Sequence, residues 1–422
     1  MKDQKLVITL GPRRLIAAAL CIAAAAGAVF VCKWAFGHAV AVNAEDVEIA
    51  ELGVQLAPAD PAARSRLASL LEKTLLSEDQ LRGLGELENA VALSPSNYVF
   101  WLSLGTARER AGDPIGAESA LRRAVVLAPN YSRVRWALGN NLLRQGRTDE
   151  AFVELKRSAS ADARYAGPAV SLAWSILNED VEQINKLVGG TPEVSAAITD
   201  LLISNGRYND ASLFWRGIPI EQKRGELLEE GKQIYSKLLG LGKFTFAQDL
   251  AMDIDLFPDG TVKNGSFTNG DFEDVRVPHE AEAFDWKFTA GDNQRVGLNE
   301  THKISGRYSL LMSFLPGGKG FLPLSQNVAV EPGVTYGLSM NYLSDISADG
   351  KLRCEIVTAG DGKMLAEAEL SRSEDWVAVS MNFTVPDSTE GIILRINISG
   401  CEPNACKISG NIWLDDFRLR RR

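Results

Sequence analysis

The stretch YVFWLSLGTARERAGDPIGAESALRRAVVLAPNY, residues 98–131, decides the fold of this chain. Trp101, Leu104 and Gly105 are followed, past a break at Gly112-Asp113-Pro114, by Ala117, Leu121, Ala124 and Pro129. The apolar positions recur at helical intervals on both sides of the break, so two helices face each other across a turn. The small residues Gly105 and Ala117 let them approach closely, and Trp101, Leu104, Leu121 and Ala124 fill the space between them. A unit of this size cannot bury its apolar face alone, so the pattern implies an array of stacked units with an extended concave surface.

The order W-x2-L-G, then A-x3-L and a closing Pro, resembles the tetratricopeptide repeat, a helix–turn–helix unit of about 34 residues. From Ser132 the same places hold Trp136 (one residue late), Leu138, Gly139, Leu142, Gly146, Ala151 and Leu155. From Arg64 they hold Leu67, Leu70, Gly83, Leu87, Ala90 and Pro95, a weaker copy. Two degenerate copies follow, one with Gly206 and Ala211, the other with Gly242 and Ala247. Residues 48–255 are therefore expected to form one helical solenoid, with a poor fit to the period at 166–190. The resemblance implies that first helices line the concave face and that a protein partner binds there. Thr106, Arg110, Trp136, Asn140 and Arg144 are the residues it places on that face, while Arg108 stands where the repeat usually has Tyr.

Lys2, Lys5, Arg13 and Arg14 precede an uninterrupted apolar and small-residue run from Leu15 to Cys32. A run of about 18 residues reaches the lower limit of a bilayer span, and a basic flank belongs on the cytoplasmic side. Residues 1–14 are expected in the cytoplasm, 15–36 in the membrane as a signal-anchor, and the rest outside the cytoplasm. A cleaved signal peptide is the competing reading, with Ala39-Val40-Ala41 as the small-residue site. Leu20 before Cys21 and Val31 before Cys32 are too large for a lipoprotein signal.

The net charge of −9 and the pI near 5.2 argue against nucleic acid as a partner, since no basic stripe runs outside the membrane flank and the terminal Arg420-Arg421-Arg422. Of the five cysteines, Cys21 and Cys32 lie in the apolar run. Cys401 and Cys406 bracket a short loop and are expected to close a disulfide outside the cytoplasm, a zinc half-site being the alternative. Cys354, in a strand-like run, is expected to be a free thiol.

Around Leu256-Phe257-Pro258-Asp259-Gly260 the helical periodicity stops. Short β-rich runs separated by Gly, Asn, Asp and Pro then continue to the end, the pattern of an antiparallel sandwich. Asn269-Gly270-Asp271-Phe272-Glu273, Ser305-Gly306-Arg307-Tyr308-Ser309-Leu310, the Pro332-Gly333 turn, Trp376 and Ile412-Trp413-Leu414-Asp415-Asp416-Phe417 together resemble the jelly-roll carbohydrate-binding modules of the galactose-binding-like group. The resemblance covers 262–422 and implies two sites. One is a structural calcium ion tying the first strand to the last, held by Asp271, Glu273 and Asp415 with Asp416 as substitute. The other is a glycan stacked on Trp286, Tyr342 or Trp376.

No nucleophile elbow, phosphate loop or H-E-x-x-H helix occurs, and the three histidines, His38, His279 and His302, read as juxtamembrane or surface residues. Catalysis is therefore not expected. The sequence points to an α + β multidomain protein: a transmembrane helix, a tetratricopeptide-like solenoid and a C-terminal jelly roll. The expected function is that of a scaffold anchored in a bacterial inner membrane, binding protein partners outside the cytoplasm beside polysaccharide assembly or export. The alternative is a secreted, lectin-like glycan binder whose repeats act as a spacer.

Overall fold

The structure, a computed structural model, describes residues 12–74, 76–256, 263–274, 283–288, 291–402 and 404–422. His279, Lys2, Lys5 and residues 257–260 lie outside them. The chain divides into two compact units, Met1–Ala197 and Ile198–Arg422. The boundary between these units falls inside the helical region.

Helices run in the order α1 Pro12–Val42, α2 Val47–Leu56, α3 Pro61–Leu71, α4 Ser77–Leu93, α5 Tyr98–Arg110, α6 Pro114–Leu127, α7 Ser132–Arg144, α8 Thr148–Ala161, α9 Ala166–Ile176, α10 Val181–Val188, α11 Pro192–Ser204, α12 Tyr208–Arg216, α13 Ile220–Arg224, α14 Leu228–Gly240 and α15 Phe244–Asp253. One of them, α1, is long and apolar enough to cross a membrane, with a span of Ile16–Val42 and a mean hydropathy of 2.2. Its last turns do something else as well. Gly37 and Ala41 are buried, and a Cβ on Gly53 of α2 would meet Ala41 within 2.5–2.7 Å, so only glycine lets the two helices cross there. His38 Nδ1 meets the buried Asp60 carboxylate at 2.6 Å, which adds a polar tie between α1 and the cap of α3.

The repeat logic rests on one turn used four times. Gly112, Gly146, Gly206 and Gly242 all take left-handed φ, from +70° to +81°. After each glycine, an amide (Asp113, Arg147, Arg207 or Lys243) donates back to a carbonyl five residues earlier, at 2.9–3.0 Å. This is the Schellman stop, which leaves orphan carbonyls satisfied and suits glycine. Five residues past each glycine stands an alanine, at 117, 151, 211 and 247, and each is fully buried. The copies at Gly206 and Gly242, weak in sequence, are thus real in geometry. At 166–190 the same stop is made by Asn178, at φ +49°, with the amide of Glu179 donating to the Trp174 carbonyl. Asparagine tolerates the left-handed region, so the turn survives there without its glycine signal.

Between α5 and α6 the fit is tight: a Cβ on Gly105 would lie 2.6 Å from Leu121 Cγ. Ala117→Leu, in the same contact, should overpack the pair by about 1–3 kcal/mol. Hydrogen exchange over residues 98–161 should speed accordingly, and unchanged protection there would show that the pair is not packed through Ala117.

The second unit holds the later helices and an antiparallel sandwich. Its strands are β1 Gln294–Asn299, β2 Ser309–Phe314, β3 Leu324–Ala329, β4 Thr335–Ser344, β5 Ser347–Ala348, β6 Lys351–Thr358, β7 Met364–Glu369, β8 Ser373–Thr384, β9 Gly391–Ser399 and β10 Ile408–Arg421. One sheet runs β1-β2-β10-β4-β8, with the short β5 on β10, and the other runs β3-β9-β6-β7. The pairs β2 with β10, β3 with β9 and β4 with β8 are nested, as when one long hairpin is rolled up, which gives a jelly roll. Met312, Ile356, Leu394, Ile396, Ile412 and Leu414 alternate inward to form its core.

Helix α15 belongs to this unit too. Phe244 sits edge-on to Phe284 at 5.6 Å, a Cβ on Gly391 would strike the Phe244 ring at 2.4 Å, and Lys243 pairs with Glu390 at 3.1 Å. The Cys401–Cys406 disulfide is formed, with Cα atoms 5.5 Å apart. Cys354 is a free, fully buried thiol, pushed up to about 12 by burial and then by the neighbouring Glu355 charge.

Candidate functional site

A groove of about 380 Å³ opens between α5 and α7. Thr106, Trp136, Asn140 and Arg144 line it, four of the five residues expected on the concave face. Their polar groups are more committed than the sequence suggests. The Thr106 hydroxyl donates to the carbonyls of Leu102 and Ser103, and the Asn140 amide donates to the Trp136 carbonyl at 2.9 Å, the usual fate of short polar side chains within a helix. Arg144 pairs with Glu109 at 2.5 Å across the groove. Arg110 lies outside the lining and pairs with Glu72 at 2.8 Å.

What remains open is different in kind. Val99 is 44% exposed and adjoins Leu102, Ala137 and the half-buried Trp136, whose ring rests on Tyr165 at 5.1 Å. Arg133, which the repeat pattern does not single out, stands exposed on the same wall. The groove therefore offers an apolar floor and an aromatic plate with a cation at the rim.

In the sandwich, two of the three aromatics expected to stack on sugar are core residues. Trp286 is 6% exposed, donates to the Asn269 carbonyl at 3.0 Å and packs against Phe267, Phe272 and Phe417. Tyr342 is 4% exposed on the inward side of β4, and burial pushes its phenol above the ordinary range. Neither has a face free for a pyranose ring. Trp376, on β8, is half-buried.

The outer face of β6 and β9 carries a polar row that the sequence reading did not pick out. Glu355, paired in register with Arg395, is 5% exposed and accepts from Arg395 Nε at 2.5 Å and from the Asn397 amide at 3.4 Å. Beside it Arg353 pairs with Glu367 at 2.6 Å and leaves its Nε buried without a partner. The signal was present in the strands themselves, since Arg353 and Glu355 alternate with core residues, as do Arg395 and Asn397.

The acids expected to hold calcium are partly brought together. Glu273 Oε1 accepts from the amides of Arg307 and Tyr308 at 2.7 and 2.9 Å, in a space that exists because Gly306, at φ +58°, has no side chain. Asp415 is fully buried because a bulge at Asp416, φ +59°, shifts the phase of β10. Its Oδ2 accepts from Ile304 and Ser305 at 2.8 and 3.3 Å, whereas Oδ1 is buried and unpartnered. Both carboxylates thus hold the 304–308 loop, and one orphan acceptor would be satisfied by a cation. Asp271 is exposed and does not join them, and among the described residues no three metal-binding side chains are clustered. The fit to calcium is partial.

No family model matches the chain, and no curated protein matches it. Solved structures resemble parts of it. One titled "CBM4 structure and function" is 17% identical, covering 37% of this chain and 100% of its own, with a TM-score of 0.29. MamA is 15% identical over 45% of this chain and 89% of its own, with a TM-score of 0.29. PilF of Pseudomonas aeruginosa is 17% identical over 42% and 81%, with a TM-score of 0.30. By its own geometry, the chain combines helical repeats built on the tetratricopeptide plan with a C-terminal jelly roll.

Proposed function

We propose that this protein is a non-catalytic scaffold held in the bacterial inner membrane by α1, with the repeats and the sandwich outside the cytoplasm. The repeats would bind an extended segment of a partner protein in the α5/α7 groove. The observation that carries this reading is the groove itself: an apolar floor, the Trp136 plate and Arg133 at its rim, on the face such repeats use. The fitting segment has an apolar anchor and an acidic neighbour. Retention of α1 is supported by its own packing, since cleavage after Ala41 would remove the partner of Gly53. A reporter fused after Arg422 should then be active only if it works outside the cytoplasm.

Photocrosslinking from Ser103, in the groove, tests the docking. It should yield discrete adducts in the intact envelope that weaken with Trp136→Ala, while the same probe at Val126, 67% exposed on α6, should not. Equal crosslinking from both positions would sink the reading.

A second reading rests on the polar row of Arg353, Glu355, Arg395 and Asn397. Guanidinium, carboxylate and amide groups held on a rigid sheet suit the paired hydroxyls of a sugar, and this supports a glycan-binding role in polysaccharide assembly or export, or as a secreted lectin. Glycan-array binding lost in Arg395→Ala and kept in Trp376→Ala would establish it, and no binding by the wild type would remove it.

A further inference from the structure

A second groove in the first unit is built on other chemistry. It has a volume of about 770 Å³, lies between α8, α10 and the turn before α7, and shares no residue with the α5/α7 groove. Arg135, Lys156, Arg157 and Lys186 line it. A single carboxylate, Glu154, pairs with both arginines, at 2.5 Å to Arg135 and 3.0 Å to Arg157. Four cations against one acid leave an excess of three, in a chain whose net charge is −9. Lys156 and Lys186 make no ion pair among the described residues. Gly190, at φ +128°, a conformation that favours glycine, borders Lys156, and a Cβ there would make only ordinary contact with it. Between the cations lie Val153, 49% exposed, and the half-buried Leu187.

We propose that this groove docks an acidic peptide segment of a partner protein, with carboxylates on Lys156 and Lys186 and an apolar side chain on Val153 and Leu187. Charge complementarity selects the acid, because like-charged segments are repelled and an unpaired ammonium gains most from a carboxylate. The apolar pair, exposed at Val153 and half-buried at Leu187, selects a peptide over a bare polyanion, which has nothing to place against it. The arginines, held by Glu154, set the shape of the site and leave the lysines to bind. This surface is independent of the α5/α7 groove, so either can fail alone.

The test uses the full chain in lipid nanodiscs and the anisotropy of a short fluorescent peptide rich in Glu and Asp with a few Leu. Binding should be salt-sensitive, and Lys156→Glu with Lys186→Glu should raise Kd by about tenfold or more. The milder Lys156→Gln with Lys186→Gln should fall between, and Trp136→Ala should bind as the wild type does. Unchanged thermal melts confirm that the variants fold. Wild-type affinity in the doubly reversed variant would overturn the proposal. So would equal binding of a lysine-rich peptide, displacement by inorganic phosphate at the peptide's own concentration, or binding of an oligogalacturonate in place of the peptide.

Discussion

Asp253→Ala should destabilise the second unit by about 3 kcal/mol, one of the two largest effects expected of a single substitution here. Lys223, 4% exposed, places its ammonium 2.6 Å from Asp253 Oδ2 and 5.3 Å from the centre of the Trp215 ring. Trp215 is itself buried and donates its indole N–H to the same oxygen at 3.0 Å. Removing the carboxylate strands a buried cation and a buried donor together, and breaking a buried pair costs roughly 3–5 kcal/mol. The lower end applies because the Asp253 side chain keeps a third of its exposure. Adding Lys223→Met should recover most of the loss, since the cost lies in the uncompensated charge and not in the missing bond. Urea unfolding of the three proteins decides the matter, and a loss below about 1 kcal/mol in Asp253→Ala would mean that Lys223 finds water or another partner.

Asp415→Asn should change the sign of its effect with calcium. In chelator, burial holds the Asp415 carboxyl above its ordinary value, ahead of the opposing amides of Ile304, Ser305 and Asp416. A carboxyl raised in the folded state stabilises fully below its unfolded value, and that contribution is lost as pH rises through the folded one. The wild type in chelator should therefore gain stability as pH falls through that range. The asparagine variant should lack this slope and be the more stable of the two at pH 7, since the amide oxygen still accepts from the loop. If Glu273 and Asp415 hold calcium, binding to the folded state adds about 2.7 kcal/mol at a hundredfold excess over Kd, and only the wild type receives it. Identical wild-type melts with calcium and with chelator would dispose of the ion, and an asparagine variant less stable in chelator would dispose of the buried-charge argument.

Much of the architecture was legible because it depends on local, periodic features. Gly112 and Ala117 recur as Gly146 and Ala151, and the stop geometry they need is repeated in the structure to within a few degrees. The strand runs were legible because alternation at period 2 survives without knowledge of the neighbouring strand. Where the signal failed, a substitute met the same physical need. Asn178 performs the glycine's task between α9 and α10, so a period tied to glycine loses the hairpin.

The sites were harder to read, because a side chain's availability depends on what it already touches. Thr106 and Asn140 line the α5/α7 groove, yet their donors are taken by their own helices. Trp286 and Tyr342 look like sugar platforms in isolation but complete a core that only the rolled sheets assemble. Lys223 and Asp253 lie 30 residues apart and carry no shared motif.

The apolar N-terminal helix, the helical repeats, the jelly roll and the cysteine pair could be read from the sequence, because each is set by spacing within a short stretch. Tertiary structure alone decided which alanine and glycine contacts close the helix pairs, that α15 packs with the sandwich, and that a bulge turns Asp415 inward. It alone left Lys156 and Lys186 without an ion pair among the described residues and brought Glu355 against Arg395. These outcomes depend on burial and pairing between residues distant in the chain, and no local pattern encodes the company a charge will keep once the chain is folded.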